Sequence, residues 1–279
     1  MIKPIATVII PAKGRPHLLE RAISSVLSQD NSQDVEIIVI DDGSSPPLVP
    51  SGLRAQDKII RQELSIGAAK ARNVGINEAG ADLIYLLDSD DYFIKRDYLG
   101  DKSDISVNDI GFCDILSQGY ISAYPQLVGR LEFFPFVFHR HKHICQTSSL
   151  VFLKSSGLRF DPNLPKHQDW DFVFTQGIIN GFRVRRLPGT IFFDRSDTHS
   201  VSRLQSSSRS LQWLNKLREM NLLSEQEDET VEFNLLARTD YFTVVRLFQR
   251  ALRELLLGRT SLDEIARIFA RRMLSKRTV

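Results

Sequence analysis

The first hundred residues alternate between short apolar runs and longer amphipathic runs, and this alternation limits the possible folds more than any other feature. Residues 5–10, 35–40 and 83–87 are aliphatic or β-branched apart from single exceptions, as expected for buried strands. Residues 17–29 carry apolar side chains at helical spacing, and residues 67–79 predict a second helix. Strands that are apolar on both faces predict an α/β fold with a mostly parallel sheet flanked by helices.

The remainder of the chain predicts a mixed continuation of this sheet and then a helical extension. The predicted elements are a strand over residues 58–61, strands within 104–123 and 146–153, a helix opening near His167, short strands over 183–187 and 190–193, and helices beyond Ser206. We therefore expect one domain over residues 1–205, divided near residue 100, and a helical extension over residues 206–279.

Composition excludes several classes of protein. The 36 Lys and Arg against 34 Asp and Glu give a net charge of +2, which does not favour nucleic acid as a partner. Cys113 and Cys145 are too few for a disulfide scaffold or a Cys-rich zinc site, so we expect a reducing compartment. The N-terminal apolar run is predicted to be a strand rather than a secretory signal, and no apolar stretch reaches the ~20 residues of a membrane span.

Two acidic clusters directly follow predicted strands. Asp41 and Asp42 follow the second strand, and Asp88, Asp90 and Asp91 follow the strand over residues 83–87. Ligands of an open parallel sheet bind at the carboxyl ends of its strands, and carboxylates that converge there suit Mg²⁺ or Mn²⁺. Each cluster taken alone is also an ordinary turn sequence. No GxGxxG follows the first strand and no GxxxxGK[ST] is present, which disfavours dinucleotide and P-loop sites.

These motifs stand in a familiar order. The runs TVIIPAKGR, AISSVLSQ, VEIIVIDDGSSP and IGAAKARNVGINEAGADLIYLLDSDD together resemble family 2 glycosyltransferases of the GT-A fold. The resemblance is close from Ile5 to Tyr92 and looser to Arg203. It implies an inverting enzyme that moves a sugar from a nucleotide sugar, a UDP-sugar by preference, to a saccharide or lipid-linked saccharide in bacterial surface-polysaccharide synthesis. Residues 1–100 would form the donor half and residues 101–205 the acceptor half.

The resemblance also assigns donor-binding roles to individual residues. Asp88 would contact the ribose and assist the divalent cation, Mn²⁺ or Mg²⁺, that Asp90 holds. Asp41 or Asp42 would accept a hydrogen bond from the uracil ring. The remaining donor-binding residues are Pro11 and Arg15 in the pocket wall and Arg72 as a cation beside the phosphates or the base. The alternative interpretation of Arg72 is an exposed arginine on a helix.

The catalytic base is expected in the run QDWDF. The family motif that this run resembles carries an acid that acts as general base, which makes Asp169 the candidate and Asp171 the alternative. The motif usually begins with Glu, whereas this chain has Gln168. Trp170 would form an apolar wall for the acceptor sugar. A carboxylate at a helix start is also an ordinary N-cap.

Histidines are weaker candidates. His199 lies where relatives often carry a histidine near the metal. His139, His141 and His143 would share one face if their segment were extended, but zinc would need a fourth ligand. We interpret residues 130–143, which are aromatic and basic, as an acceptor loop.

Two other functions remain open. A sugar-phosphate nucleotidyltransferase could also use acids on an α/β sheet, although PAKGR is a short and glycine-poor first loop. A third hypothesis is a non-catalytic glycan-binding or scaffold protein. The presence of Asp88, Asp90 and Asp169 disfavours this hypothesis.

The C-terminal tail is basic. Residues 238–279 contain ten Lys and Arg against four acids, a net charge of 10 − 4 = +6. Val244, Phe248 and Leu252 belong to an apolar helical stripe beside a row of arginines. Such a helix either lies on an anionic membrane surface or packs on the catalytic domain or a second subunit as a homodimer. We expect a cytoplasmic protein, which in the first case would be peripheral on the inner face of the cell membrane.

Overall fold

The computed structural model describes residues 3–94, 99, 105–117, 119–122, 125–138, 145–194, 207–236, 252, 255–256 and 261–262. They fall into two compact units, one within Met1–Thr198 and the other within His199–Val279.

A single mixed sheet forms the centre of the first unit. The described residues contribute ten strands to it: β1 (Ala6–Ala12), β2 (Val35–Asp42), β3 (Lys58–Gln62), β4 (Leu83–Leu86), β5 (Tyr92–Phe93), β6 (Asp109–Ser117), β7 (Tyr120–Ser122), β8 (Leu127–Val128), β9 (Leu150–Leu153) and β10 (Arg183–Phe192). Their order is β3-β2-β1-β4-β9-β6-β10-β5, with β7 paired to β6 and β8 paired to β10.

Strand direction determines where the polar loops meet. Strands β1 to β4 are parallel to one another where they pair, and β6 is parallel to β10. Strand β9 is antiparallel to both β4 and β6, which returns β6 to the direction of β4. The carboxyl ends of β1, β2, β4, β6 and β10 therefore share one edge of the sheet, where ligands bind in open α/β sheets.

The helices of the first unit are α1 (Pro16–Leu27), α2 (Ala68–Glu78), α3 (Arg130–Phe138) and α4 (Gln168–Asp171). Helix α4 continues as a π-helical turn over Phe172–Gly177 and a 3₁₀ turn over Ile178–Asn180. Buried residues on α1 include Leu19, Ile23 and Val26. The predicted α/β class, with a mostly parallel sheet flanked by helices, is confirmed.

Two predictions about local structure are wrong. Residues 130–138 form helix α3 instead of an acceptor loop, because Phe133 and Phe134 are buried and each ring lies 4.9 Å from that of Phe174. His139, His141 and His143 lie outside the described residues. The two strands predicted near the end of the first unit are one strand, β10, whose register against β6 shifts between Arg186 and Thr190.

The second unit contains helices α5 (Ser207–Glu219) and α6 (Glu225–Leu236). Its buried side chains include Trp213, Leu217 and Val231. The Arg218 guanidinium forms ion pairs with Asp228 and Glu232 of α6, at 2.6 and 3.1 Å. Within the described part of the chain, none of the helices has the length and apolar character needed to cross a membrane.

Candidate active site

The acidic segment 88–91 leaves the sheet at the point where β1 and β4 separate. The last backbone contact between them is the Leu87 N–H, which donates to the Ile9 carbonyl at 3.0 Å. Pro11 lies two residues further along β1, beyond its pairing with β4, where its missing N–H leaves no strand partner unsatisfied. Pro11 and the acidic segment therefore lie where the two strands diverge, at the carboxyl edge of the sheet.

Asp91 anchors this segment from the interior. Its carboxylate is fully buried and accepts hydrogen bonds from Gln146 Nε2 at 2.7 Å, Ser148 Oγ at 2.5 Å and the Asp194 N–H at 3.1 Å. Burial raises the pKa of Asp91 well above its usual range, and the charges of Asp88 and Asp90 raise it further. The Asp88 N–H also donates to Ser148 Oγ at 2.9 Å, so the turn before β9 fixes the acidic segment at two points.

Asp88 and Asp90 lie nearer the solvent than Asp91. Their side chains are 25% and 19% exposed. Asp88 Oδ1 accepts from Arg72 Nη2 at 2.6 Å, and Asp90 Oδ2 lies 3.5 Å from Arg15 Nη1. Arg15 adopts a left-handed backbone conformation, with φ 52°, immediately before α1. Two accessible carboxylates thus lie next to two arginines at the carboxyl edge of the sheet.

This donor set fits a hard divalent cation. Mg²⁺ is usually held by one or two carboxylates together with substrate phosphates, and Mn²⁺ prefers similar oxygen ligands. The described residues contain no cluster of three or more His, Cys, Asp or Glu side chains that could hold a metal by themselves. Asp88 and Asp90 therefore suit an ion that is shared with a phosphate-bearing ligand. His199, which the sequence analysis placed near the metal, lies outside the described residues.

Arg72 connects the acidic segment to helix α4. It is 6% exposed, and its Nη1 donates to Gln168 Oε1 at 2.9 Å while Nη2 is bonded to Asp88. Its guanidinium carbon lies 5.3 Å from the centre of the Phe160 ring. The neighbouring Asn73 side chain accepts from the Phe160 N–H and donates to its carbonyl, each at 2.9 Å. Arg72 and Asn73 thus connect α2 to the acidic segment and to the backbone at Phe160, respectively.

Asp169 lies half-buried at the start of α4. Burial raises its pKa to about 6 and the nearby Asp88 charge contributes, while the Trp170 N–H bond at 3.0 Å and the Arg72 charge oppose the rise. A carboxyl with a pKa near neutrality suits a general base. Asp171 is fully buried, which favours Asp169 of the two candidates.

Trp170 has an aromatic environment beside the base. Its ring stacks on His167 with centroids 4.2 Å apart and meets Phe138 edge-on at 5.4 Å. Trp170 is half-buried, so part of its surface is accessible. A role against an acceptor sugar stays a prediction.

Asp41 and Asp42 both stabilise the loop around them. Asp41 accepts from the Ser44 and Leu48 N–H groups and from Arg61, and these bonds hold its pKa below the usual value despite the opposing effect of burial. Asp42 accepts from Ser65 Oγ and from the backbone N–H groups of residues 66 and 67, which precede α2. The predicted contact with a uracil ring stays a prediction.

Several residues of the site are not evident in the sequence. Arg21 of α1 donates to the Asp90 carbonyl at 2.5 Å and to Asp194 Oδ2 at 2.9 Å. Together with Gln146 and Ser148, Arg21 supports the acidic segment through contacts between residues that are 55 to 69 positions apart in the sequence. Local sequence patterns carry no signal for such contacts.

A cavity of about 380 Å³ lies elsewhere in the first unit. It is lined by Gln126, Leu127, Arg183, Arg185 and Arg186. These arginines lie at the amino end of β10, opposite the edge that carries the acids. Asp109 and Asp114 form ion pairs with them, so this cavity is separate from the candidate site.

Comparison with known proteins confirms the resemblance. Residues 7–100 match the model of glycosyl transferase family 2. The chain is 28% identical over 202 residues to the succinoglycan biosynthesis protein ExoU of Rhizobium meliloti, a match covering 64% of this chain and 58% of that protein. It is 33% identical over 111 residues, 39% of this chain and 44% of the relative, to the Escherichia coli UDP-Glc:alpha-D-GlcNAc-diphosphoundecaprenol beta-1,3-glucosyltransferase WfgD. Each match covers less than two thirds of the relative.

Solved structures share the fold. Staphylococcus aureus TarS in complex with UDP-GlcNAc superposes with a TM-score of 0.58 at 17% identity, covering 84% of this chain and 72% of TarS. The mannosyltransferase PcManGT of Pyrobaculum calidifontis, in complex with GDP-Man and Mn²⁺, gives 0.55 at 14% identity, covering 99% of this chain and 88% of the other. At these identities the likeness concerns the fold, and the expected GT-A architecture is confirmed.

Proposed function

We propose that this chain, whose residues 7–100 match the model of glycosyl transferase family 2, transfers a sugar from a nucleotide-sugar donor to an acceptor hydroxyl with inversion at the anomeric carbon. One observation carries the proposal. A carboxyl with a pKa of about 6, Asp169, lies within electrostatic range of the Arg72–Asp88 ion pair at the carboxyl edge of the sheet. The proposed base thus lies close to the proposed phosphate-binding cation.

The donor side consists of Asp88, Asp90, Arg15 and Arg72. The arginines would attract the diphosphate, and Arg72 lies in the second turn of α2, whose N-terminal dipole adds to that attraction. Asp88 and Asp90 would hold Mn²⁺ or Mg²⁺, which when bound neutralises charge that develops on the departing diphosphate. A neutralised leaving group needs no acid catalyst.

Asp169 is the base in this proposal. Its carboxylate takes the proton from the acceptor hydroxyl as that oxygen forms a bond to the anomeric carbon. The bond between the anomeric carbon and the diphosphate oxygen breaks on the opposite face, and the nucleoside diphosphate leaves. One protein carboxylate suffices here, in contrast to the pair used in glycoside hydrolysis.

The substrates are inferred from the relatives. WfgD is described by its name as using UDP-Glc and a diphosphoundecaprenol acceptor, and ExoU as a succinoglycan biosynthesis protein. We therefore propose a UDP-sugar donor, with UDP-Glc as the first to test, and a saccharide or lipid-linked saccharide acceptor in bacterial surface-polysaccharide synthesis. Such an acceptor would bring the protein to the cytoplasmic face of the membrane, and the basic tail would contact that surface or a second subunit.

A donor screen tests the proposal. Thermal unfolding is measured with UDP-, GDP- and ADP-sugars in the presence of Mn²⁺, because a bound donor raises Tm. The stabilising donor is then incubated with saccharide and undecaprenyl-diphosphate-linked acceptors, and release of nucleoside diphosphate is followed. Pyrophosphate release from a nucleoside triphosphate and a sugar phosphate would identify a nucleotidyltransferase instead. Absence of donor binding, hydrolysis and transfer across the panel would support a scaffold.

A further inference from the structure

Gln168 occupies the position where the family motif usually has Glu, and both ends of its amide are engaged. Its Oε1 accepts from Arg72 Nη1 at 2.9 Å, and its Nε2 donates to the Leu164 carbonyl at 2.8 Å. A guanidinium can only donate and a carbonyl can only accept. The two partners therefore require one acceptor and one donor from the side chain at position 168.

An ionised Glu cannot meet this requirement. A carboxylate is acceptor-only, so one of its oxygens would face the Leu164 carbonyl oxygen without a proton between them. It would also add a negative charge beside Asp88 and Asp169, which already share the field of Arg72. An uncharged amide of this length avoids both problems.

The amide joins the two halves of the candidate active site. Arg72 holds Asp88 with its other nitrogen at 2.6 Å, and Gln168 immediately precedes Asp169 in α4. A displacement at position 168 would therefore move the donor-side cation relative to the base.

We propose that Gln168 is a positioning residue that must be an uncharged amide: it clamps Arg72 against Asp88 and fixes the start of α4 beside them. Arg72 thereby keeps its orientation toward the donor diphosphate without a further carboxylate competing for its charge. The inference rests on the proposed function for the identity of the ligand, while the clamp itself is a property of the free protein. Titratable groups near the clamp include Asp169, His167, which immediately precedes α4, and the buried Cys145 thiol near Asp169.

Calorimetric titration with UDP in the presence of Mn²⁺ tests the clamp. At pH 7.5, Gln168→Glu should bind UDP at least about tenfold more weakly than the unsubstituted chain, the lower end of the effect of a hydrogen bond to a charged group. As the pH falls toward 5, the difference should shrink, because the introduced carboxyl group gains a proton to donate to the Leu164 carbonyl. Gln168→Met should bind weakly at every pH. Gln56→Glu is the matched control, since Gln56 is exposed and its Nε2 also donates to a backbone carbonyl, at 3.1 Å.

The outcomes separate this inference from the proposed function. Unchanged UDP affinity in Gln168→Glu, or a loss that does not shrink at low pH, would overturn the clamp while the glycosyltransferase proposal stands. If the unsubstituted chain binds none of UDP, GDP and ADP, the proposed function fails. The clamp is then judged on ligand-free protein, by the Tm values of Gln168→Met, Arg72→Met and the double variant. A double-variant Tm loss clearly smaller than the sum of the single losses supports the clamp, and additive losses overturn it.

Discussion

Asp169 and Asp171 are two residues apart in α4, yet they differ in their exposure to solvent. Asp169 is half-buried beside Arg72, whereas Asp171 is fully buried. The sequence run QDWDF could not separate them, because residues two apart on a short helix differ only in what the rest of the fold packs against them. The structure supplies that difference.

Substitution of Asp169 separates binding from chemistry. Asp169→Asn should retain donor affinity and lose at least ~10²-fold in kcat, the lower end of general-base effects. Affinity is measured by calorimetry and kcat by release of nucleoside diphosphate. Normal transfer by Asp169→Asn together with an inactive but folded Asp171→Asn would show that the base is misassigned.

The pH dependence follows from the raised pKa of Asp169. The base must be ionised, so kcat/KM should fall about tenfold per pH unit once the pH drops below about 6, the pKa set by burial and the Asp88 charge. An ordinary aspartate would keep its activity to near pH 4. A rate profile that is flat between pH 7 and 5 would contradict the assignment, and a circular-dichroism check at each pH excludes unfolding.

Metal dependence is tested at Asp90. Asp90→Asn should leave the fold intact and abolish donor turnover, because a neutral amide holds a divalent cation poorly. EDTA should have the same effect on the unsubstituted chain, with Mn²⁺ or Mg²⁺ restoring the rate. Asp30→Asn, at an exposed position after α1, is the matched control. Full transfer in EDTA would remove the ion from the proposal.

At the scale of elements, the sequence predicted the strands and helices of the first hundred residues because each carries its own periodicity. The sequence pattern does not predict helix α3, because the contacts that stabilise it come from a distant part of the chain. Pro135 lies inside it, and proline disfavours helix interiors. Packing of the helix's aromatic side chains on Phe174, about 40 residues further along the chain, offsets this cost. The Gln146–Ser148 turn escaped prediction for a similar reason, since its partner Asp91 comes from a different loop.

The packing of α2 on β1 depends on Gly75. A Cβ at this position would lie 2.3 Å from Ile9 Cγ2, inside van der Waals contact. Gly75→Ala gains about 1 kcal/mol in helix propensity but overpacks a filled core at a cost of about 1–3 kcal/mol. We expect a net loss of unfolding free energy, measured by urea denaturation.

A double-variant cycle provides the control for Gly75. In the Ile9→Ala background the clash with Cγ2 disappears, so adding Gly75→Ala should be neutral or stabilising there. The same loss in both backgrounds would place the cost in the helix itself and contradict close packing on β1.

At the scale of the whole molecule, the sheet order explains why the acids could be predicted to share an edge. Asp42 ends β2 and Asp88 follows β4, two parallel strands separated by β1, and strand direction alone brings their loops to the same side. The topology does not determine which of these carboxylates face a ligand. Asp42 hydrogen-bonds to the backbone that precedes α2, while Asp88 forms an ion pair and stays 25% exposed. That distinction depends on side-chain contacts made across the fold.

The basic tail gives the last prediction, argued from sequence because residues 238–279 lie almost wholly outside the described structure. Its net charge of +6, within a chain of net charge +2, leaves the preceding residues at 2 − 6 = −4, so attraction to an anionic surface would be concentrated in the tail. Polybasic segments gain about 1 kcal/mol per Lys or Arg near such a surface. The full chain should therefore float with phosphatidylserine-containing liposomes at low salt, not with phosphatidylcholine liposomes, and salt should release it.

The triple variant Arg246→Gln, Arg250→Gln, Arg253→Gln should lose much of this binding. If the unsubstituted chain stays unbound on anionic liposomes at low salt, the tail is instead a packing or dimerisation element, and sedimentation equilibrium then distinguishes a monomer from a dimer.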